Sequence, residues 1–226
     1  MGTTTLVPFL PFLEFSDEIF PRGHPLTECM PRRPRVIIPG LPHHFTQRGN
    51  ARQQVFDSDR DRHLFLRLLA QYATKYELEI LGYCLMPNHY HLIAIPHHPN
   101  SAALTLGRLH ADYARIININ RDACGHLWQS RYHAVTLDPT YTWRALAYVE
   151  RNPVRANIVP TAQQFPWSSA PARLGITIAP QWLSLHQWRR LWSHNDWQTL
   201  LKEFPSEPTV RPRLNSLGRA QAQYAN

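Results

Sequence analysis

The stretch of sequence that decides the fold is Met86–Leu92, which reads MPNHYHL in one-letter code. Apolar runs with strand character lie on both sides of it, and Pro87-Asn88 is typical of a turn. The stretch therefore predicts a β-hairpin whose second strand begins near His89. Because side chains alternate between the two faces of a strand, His89 and His91 are expected on one face and Tyr90 on the other.

Two imidazoles on one rigid face can bind a metal ion together. The alternative is that His89 and His91 are two histidines on a partly solvated strand with no ligand role. A single His-x-His pattern leaves both interpretations open. The decision between them depends on the rest of the chain.

Hydrophobic periodicity and capping signals predict the elements around this hairpin. A strand at 44–48 precedes it, with His44 and Arg48 on the same face. A helix is expected from Ser58 to about residue 74, because Ser58 and Asp61 form a capping-box pattern. The first hairpin strand should span 79–85. A second helix is expected to begin at Ser101, and a further strand to end near residue 137.

The third helix has the clearest predicted start. Asp138 is the expected N-cap, and Pro139 would occupy the first helical position, where its missing N–H is no loss. The helix is expected to end at Asn152, because Pro153 disfavours a helical residue before it. Tyr148 and Asn152, four residues apart, would lie on the same helical face.

The predicted order is strand, helix, strand, strand, helix, strand, helix. This order favours an α+β fold of ferredoxin-like type, an antiparallel sheet with helices packed on one face. The catalytic domain would span 32–175. Residues 1–31 are predicted to be a weakly ordered N-terminal extension, and 176–226 a Trp- and Arg-rich helical extension followed by a tail.

The composition is strongly basic, and the basic residues are almost all arginines. The 226-residue chain has a net charge of +8, and its 24 Lys and Arg residues include only two lysines, so 22 are arginines. Arginine forks match phosphate oxygens and stack on bases, which favours nucleic acid as the partner. Pro31–Arg35 is expected to be either a solvated linker or an arm on the phosphate backbone.

The sequence also carries predictions about the compartment. The three cysteines are odd in number and form no CxxC pair, so neither a disulfide framework nor a zinc ribbon is indicated. No run is apolar enough to span a membrane, and the N-terminal segment does not read as a signal peptide. We expect a cytoplasmic, nucleoid-associated protein with no membrane partner.

Five motifs in a fixed order resemble a known family: HFTQRGN at 44–50, MPNHYHL at 86–92, LWQSRY at 127–132, YVERNPVRA at 148–156 and WSS at 167–169. Together they are similar to the single-tyrosine transposases with a histidine-hydrophobic-histidine motif, and most similar to the REP-associated tyrosine transposases. The resemblance covers about residues 33–170. It implies a ferredoxin-like fold and an enzyme that cleaves and rejoins single-stranded DNA near hairpins.

The resemblance also implies roles for particular residues. His89 and His91 would hold Mg²⁺ or Mn²⁺, and Asn152, one helical turn after the tyrosine, would complete the metal site. Tyr148 would be the nucleophile and would form a 5′-phosphotyrosine intermediate. Tyr113 is the rival nucleophile, but Ile117 stands one turn after it and cannot bind metal. Without the resemblance, core packing for Tyr148 and helix capping for Asn152 would be the preferred roles.

The expected partner is single-stranded DNA with hairpin structure, bound by a monomer or homodimer. The candidates for DNA contacts are all arginines: Arg32, Arg33, Arg35, Arg48, Arg131, Arg151 and Arg155. Of these, Arg48 and Arg131 could equally form structural ion pairs. No nucleotide cofactor is expected, because no Walker-type glycine-rich loop occurs and rejoining would draw on the phosphotyrosine bond. Two alternatives stay open: a DNA-binding protein without catalysis, and a metal-dependent nuclease that uses water.

Overall fold

The central sheet has four strands, β1 His43–Arg48, β2 Leu78–Met86, β3 His89–Pro96 and β4 His133–Thr136. They lie in the order β2-β3-β1-β4, and every neighbouring pair is antiparallel. This computed structural model describes residues 35–203, together with the backbone of β5 Arg213–Leu214 and β6 Ala220–Gln221, which pair with each other. The predicted N-terminal extension at 1–31 lies outside the described residues.

Two long helices cover one face of this sheet. These are α1 Asp59–Lys75 and α2 Ser101–Asn120. The predicted capping box starts α1, since Asp61 N–H donates to Ser58 Oγ (3.3 Å) and Ser58 N–H donates to Asp61 Oδ2 (3.0 Å). Buried side chains of the helices and strands form one apolar core here, including Phe45, Phe65, Leu69, Tyr90, Leu92, Leu106 and Tyr113.

The order of elements confirms the predicted α+β, ferredoxin-like architecture. A strand, helix, strand unit is followed by a hairpin strand, a second helix and an edge strand. β1 lies between β3 and β4. The strand that follows α1, β2, therefore does not pair with β1, and the strand that follows α2, β4, does not pair with β3. The hairpin predicted from MPNHYHL is β2 and β3, with Met86 opposite His89 in the register.

The third helix, α3 Thr142–Arg155, packs on the opposite face of the sheet. It packs tightly on β2 at Gly82, where an added Cβ would lie 2.2 Å from Leu146 Cδ1. A larger residue at position 82 would therefore require the Leu146 side chain to shift. This position also coincides with an irregularity in the register of β2 against β3. α3 is the helix that carries Tyr148 and Asn152.

The end predicted for this helix is wrong, and its start is more gradual than expected. Asp138 caps a short 3₁₀ turn, Pro139–Tyr141, and α3 proper follows from Thr142. The helix continues through Pro153 to Arg155. Pro153 has no N–H for the carbonyl of Val149, and Asn152 Nδ2 donates to that carbonyl instead (3.2 Å). This side-chain bond replaces the backbone bond that proline removes.

A buried ion pair attaches α3 to the sheet and to the C-terminal helices. Glu150 of α3 and Arg173, the last residue of α4 Ala170–Arg173, are both fully buried. Arg173 Nε donates to Glu150 Oε1 (2.9 Å), and another guanidinium nitrogen donates to the carbonyl of Leu81 in β2 (2.5 Å). Ser169 Oγ and Trp197 Nε1 also donate to the Glu150 carboxylate, at 2.6 and 2.8 Å.

The C-terminal helices expected after residue 175 are α5 His186–Leu191 and α6 His194–Glu203. Trp188 of α5 and Trp197 of α6 are buried. Residues 35–203 belong to one compact unit. The domain boundary at 175 stays a prediction. In the described part of the chain, no helix combines the length and apolar character that crossing a membrane requires.

We predict that Arg173→Met lowers the free energy of unfolding by about 3–5 kcal/mol, because the Glu150 carboxylate would be left buried without its cation. The matched control is Arg115→Met, which removes an exposed i,i+3 pair with Asp112 (3.9 Å) and should cost less than about 1 kcal/mol. Urea unfolding followed by circular dichroism measures both. Equal midpoints for the two variants would contradict a structural role for the buried pair.

Candidate active site

His89 and His91 converge on one point, on the face of the sheet that α3 covers. Their Nε2 atoms lie 3.1 Å apart, and the two rings meet edge to face with centroids 4.9 Å apart. His91 is buried and His89 is half-buried. The predicted sharing of one strand face is therefore confirmed, and both side chains present the same ring nitrogen.

The orientation of His89 is set by the turn residue before it. Asn88 Nδ2 donates to the carbonyl of Arg52 (3.4 Å), so its Oδ1 lies against His89 Nδ1 at 2.6 Å. An amide oxygen only accepts hydrogen bonds, so His89 carries its proton on Nδ1. The lone pair of His89 is thus on Nε2, the atom that faces His91.

The orientation of His91 is set by a histidine of the neighbouring strand. His44 Nε2 lies 3.0 Å from His91 Nδ1, and the two rings are nearly parallel. Burial, with nearby His133 as a smaller cause, lowers the pKa of His44 to about 3. Burial also lowers the pKa of His91 well below its usual value, and His89 is the next cause. Both imidazoles are therefore neutral at pH 7.

Tyr148 of α3 packs against this histidine pair. Its ring contacts the His91 ring edge to face, with centroids 6.4 Å apart, and only 5% of the residue is exposed. Arg155, two helical turns further on, also lies against this ring, with its guanidinium carbon 4.7 Å from the centroid of the Tyr148 ring. The tyrosine thus contacts both a neutral imidazole and a cation.

Asn152 follows Tyr148 by one turn and is also buried. Its Nδ2 donates to the carbonyls of Tyr148 and Val149, both at 3.2 Å. Both bonds lie within α3, whose C-cap is Ala156, so Asn152 does not cap the helix end, which was the alternative role considered for this residue. Neither bond uses the amide oxygen Oδ1, which is the atom that a hard cation prefers.

The predicted arginines fall into separate groups. Arg48, which pairs with His89 across β1 and β3, and Arg155 both lie close enough to His91 to lower its pKa. Arg151 neighbours Arg155, and burial followed by that charge lowers the pKa of Arg151. Arg48 and Arg155 thus place positive charge beside His91.

Two other predicted arginines, Arg35 and Arg131, lie near Tyr132, and no described contact joins them to His89 or His91. Arg35 Nε donates to the carbonyl of Tyr132 (2.9 Å), and its guanidinium stacks on the Tyr132 ring at 3.9 Å. Arg131 is exposed beside them. Arg32 and Arg33 lie outside the described residues.

Tyr113, the rival tyrosine, lies in the apolar core on the other face of the sheet. It is fully buried among Phe56, Phe65 and Trp128, and its hydroxyl donates to the carbonyl of Val55 (2.6 Å). Burial raises the pKa of Tyr113 far above its usual value. Its position is that of a core residue.

Two residues of this site had no predicted role, namely His44 and Asn88. Both occur within the motifs quoted above, and His44 shares a strand face with Arg48. A signal for His44 existed, because pairing β1 beside β3 brings two histidine-bearing faces together. Nothing in the sequence indicates that the Asn88 side chain turns back onto His89.

The donor set fits a divalent cation. Two nitrogens that are each about 2.1 Å from one ion, with an angle of about 90° between their bonds to it, lie about 3.0 Å apart. This separation is close to the 3.1 Å between His89 Nε2 and His91 Nε2. Within residues 35–203 no group of three or more His, Cys, Asp or Glu side chains is arranged to hold a metal. A cation here would therefore be held by two imidazole nitrogens and by oxygen ligands, such as the Asn152 amide or a phosphate.

Comparison with known protein families gives a match to the family described as "Transposase IS200 like", over residues 38–152, which is half of the chain. No protein with a curated description matches the chain.

Among solved structures, a REP-associated tyrosine transposase bound to a REP hairpin is similar, with a TM-score of 0.55 and 19% sequence identity over 67% of this chain and 89% of that one. At this identity the likeness supports the fold. A putative transposase from Deinococcus radiodurans R1 is 21% identical over 53% of this chain and 96% of that one (TM-score 0.37). A tRNA(His) guanylyltransferase from Saccharomyces cerevisiae is 12% identical over 75% and 79% (TM-score 0.41).

We predict that the metal-free protein loses stability as the pH falls from about 6.5 towards 3. His44 is neutral when folded, with a pKa of about 3, whereas in the unfolded chain it takes up a proton near pH 6.5. Its contribution is therefore complete above pH 6.5 and is lost as the pH falls towards the folded pKa, with a slope of about 1.4 kcal/mol per pH unit.

His44→Gln should reduce this slope, whereas Thr46→Val, a non-titrating change on the same strand, should leave it unchanged. Urea unfolding in EDTA at pH 7.0, 5.5 and 4.5 measures the three slopes. A His44→Gln slope identical to that of the unaltered protein would contradict the assignment.

Proposed function

The chain belongs to the IS200-like transposases, a family of DNA-processing enzymes, and from this premise we propose that it cleaves and rejoins single-stranded DNA near hairpins with Tyr148 as nucleophile. The observation that carries the proposal is the contact between Tyr148 of α3 and His91 of β3, with ring centroids 6.4 Å apart. A nucleophile and a candidate metal ligand from two different elements thus meet on the same face of the sheet.

The proposed reaction is an in-line phosphoryl transfer. The Tyr148 oxygen attacks the scissile phosphorus, the bond from phosphorus to the 3′-oxygen breaks, and a 3′-hydroxyl and a 5′-phosphotyrosine result. A later 3′-hydroxyl attacks this ester and releases Tyr148, so no nucleotide cofactor is needed. Mg²⁺ or Mn²⁺ at His89 and His91, with Asn152 Oδ1 as a further donor, would supply Lewis-acid polarisation of a non-bridging phosphate oxygen.

Arg155 has a role in this proposal. A phenol with an ordinary pKa near 10 is mostly protonated at neutral pH, so the site has to favour the phenolate. The guanidinium of Arg155, 4.7 Å from the ring centroid, stabilises negative charge on Tyr148 by Coulomb attraction. Asn152 Nδ2, bound to the Tyr148 carbonyl, helps to keep this last turn of α3 helical.

The positive surroundings of the histidines suit a phosphate backbone. Arg48, Arg151 and Arg155 are our candidates for phosphate contacts at the cleavage site, and Arg35 and Arg131 for contacts at the edge near Tyr132. A hairpin is the proposed form of the substrate because the similar transposase structure holds a REP hairpin.

The proposal predicts a covalent adduct through Tyr148. A synthetic hairpin oligonucleotide with a single-stranded flank, incubated with Mn²⁺, should yield a protein–DNA adduct that survives a denaturing gel. Tyr148→Phe removes one oxygen, and it should abolish the adduct with little change in hairpin affinity. Tyr113→Phe is the matched control: it removes the bond to Val55, costs about 1 kcal/mol of stability and should keep adduct formation.

Mass spectrometry of the DNA-linked peptide identifies the modified residue. An adduct on Tyr113, or one that persists in Tyr148→Phe, would refute the assignment. Cleavage without any adduct would favour the alternative of a nuclease that uses water. Hairpin binding with neither cleavage nor adduct would favour a DNA-binding protein without catalysis.

Hairpin binding should also weaken steeply with salt, because each phosphate contact releases a counterion. Arg155→Gln should reduce the slope of log K against log salt by about 0.7, the value for one single-strand phosphate. Arg115→Gln, on α2 at the opposite side of the sheet, is the control and should leave the slope unchanged. Fluorescence anisotropy from 50 to 300 mM NaCl measures both. A blunt duplex that competes as well as the hairpin would contradict the proposed substrate.

A further inference from the structure

Three histidines form a continuous row on the α3 side of the sheet. His44 Nε2 lies 3.0 Å from His91 Nδ1, and His91 Nε2 lies 3.1 Å from His89 Nε2. Asn88 Oδ1, 2.6 Å from His89 Nδ1, ends the row. A favourable contact between two such atoms needs one proton between them, because a lone pair has to face an N–H. The proton positions along the row are therefore coupled.

The Asn88 end determines the arrangement of the whole row in the metal-free protein. Asn88 presents its oxygen, so His89 carries its proton on Nδ1 and its lone pair on Nε2. His91 must then donate from Nε2 to satisfy that lone pair. This leaves a lone pair on His91 Nδ1, which accepts from the Nε2–H of His44. All three rings are neutral in this arrangement.

Protonated rings are not an alternative way to fill these contacts. Burial lowers the pKa of His44 to about 3 and lowers the pKa of His91 well below its usual value. Arg48 and Arg155 act on His91 in the same direction. A proton can therefore change its position along the row, but an additional proton is disfavoured at neutral pH.

A divalent cation at the histidine pair requires the opposite arrangement. His91 Nε2 must then present a lone pair, so the ring proton has to be on Nδ1. A proton on Nδ1 needs an acceptor, and the only atom that the described contacts place there is His44 Nε2. Two facing lone pairs 3.1 Å apart without a cation would repel each other, so the two arrangements belong to two states of the protein.

We propose that cation binding switches the tautomers of His91 and His44 together, and that His44 is the positioning residue that makes the metal-binding tautomer of His91 available. The inference rests on the proposed metal role of His89 and His91. His91 loses a proton at Nε2 and gains one at Nδ1, and His44 does the same. Each ring stays neutral, and the pair releases no net proton.

The first test is the affinity for Mn²⁺, measured by isothermal titration calorimetry. His44→Phe removes the acceptor and should weaken Mn²⁺ binding by about 10–100-fold, as is usual when a residue that orients a metal ligand is lost. His44→Gln can place Oε1 near the position of Nε2 and should restore most of the affinity. His43→Phe is the control, a buried histidine of the same strand whose nitrogens contact Leu41, Ile38 and Thr136.

The second test reads the tautomers directly. Two-bond ¹H–¹⁵N spectra of protein with ¹⁵N-labelled histidine should show Nε2–H forms of His44 and His91 in EDTA. Saturating Mg²⁺, which is diamagnetic, should convert both rings to Nδ1–H forms. Variants at positions 44 and 91 assign the signals, and circular dichroism with hairpin binding in EDTA verifies that each variant is folded.

The outcomes separate this inference from the proposed function. If His44→Phe binds Mn²⁺ as tightly as His43→Phe, or if the unaltered protein binds Mn²⁺ but keeps both tautomers unchanged in saturating Mg²⁺, the switch is refuted and the metal site stands. If the unaltered protein binds no Mn²⁺, the metal site and the switch are both refuted. Loss of affinity in His44→Phe, rescue by His44→Gln and paired tautomer changes support the switch.

Discussion

The Glu150–Arg173 pair is the interaction on which the rest of the structure depends. Both side chains are fully buried, and each charge would destabilise the fold strongly if its partner were removed. The pair connects α3 to the carbonyl of Leu81 in the sheet and to Trp197 in α6. Glu150 lies two residues from both Tyr148 and Asn152, so the constraint acts on the part of α3 that carries the proposed chemistry. Gly82 leaves room in β2 for the Leu146 side chain of that helix.

The fold was largely predictable from the sequence, since its signals are local. The capping box of Ser58 and Asp61, the strand alternation around His89 and His91, and the hairpin turn at Pro87-Asn88 all depend on residues close together in the chain. The family resemblance was confirmed as well. The pairing of His89 and His91 was predicted for the same reason, because period-two alternation is a property of any strand.

What the sequence could not supply is contact between elements that are distant in the chain. His44 and His91 are 47 residues apart, and they meet only because β1 inserts beside β3 in the sheet. Glu150 and Arg173 look like surface residues when read singly, since charged side chains are seldom buried. The predicted end of α3 was wrong for a local reason. Pro153 cannot donate to the carbonyl of Val149, but the Asn152 amide donates to it instead, so the helix continues past the proline.

This replacement connects the end of the helix to the site. Without Pro153, a backbone N–H would occupy the Val149 carbonyl, and the Asn152 amide would have no reason to turn its nitrogen towards the helix. With Pro153, the Asn152 amide nitrogen donates to two carbonyls, and the amide oxygen takes part in neither bond. The Asn-Pro dipeptide therefore keeps α3 helical as far as Arg155, so that the guanidinium reaches the Tyr148 ring. It also orients the one neutral oxygen donor that the proposed metal site draws from this helix. The support that the Asn152 amide gives to the helix backbone and its proposed metal binding are compatible, because they use different atoms of the same amide.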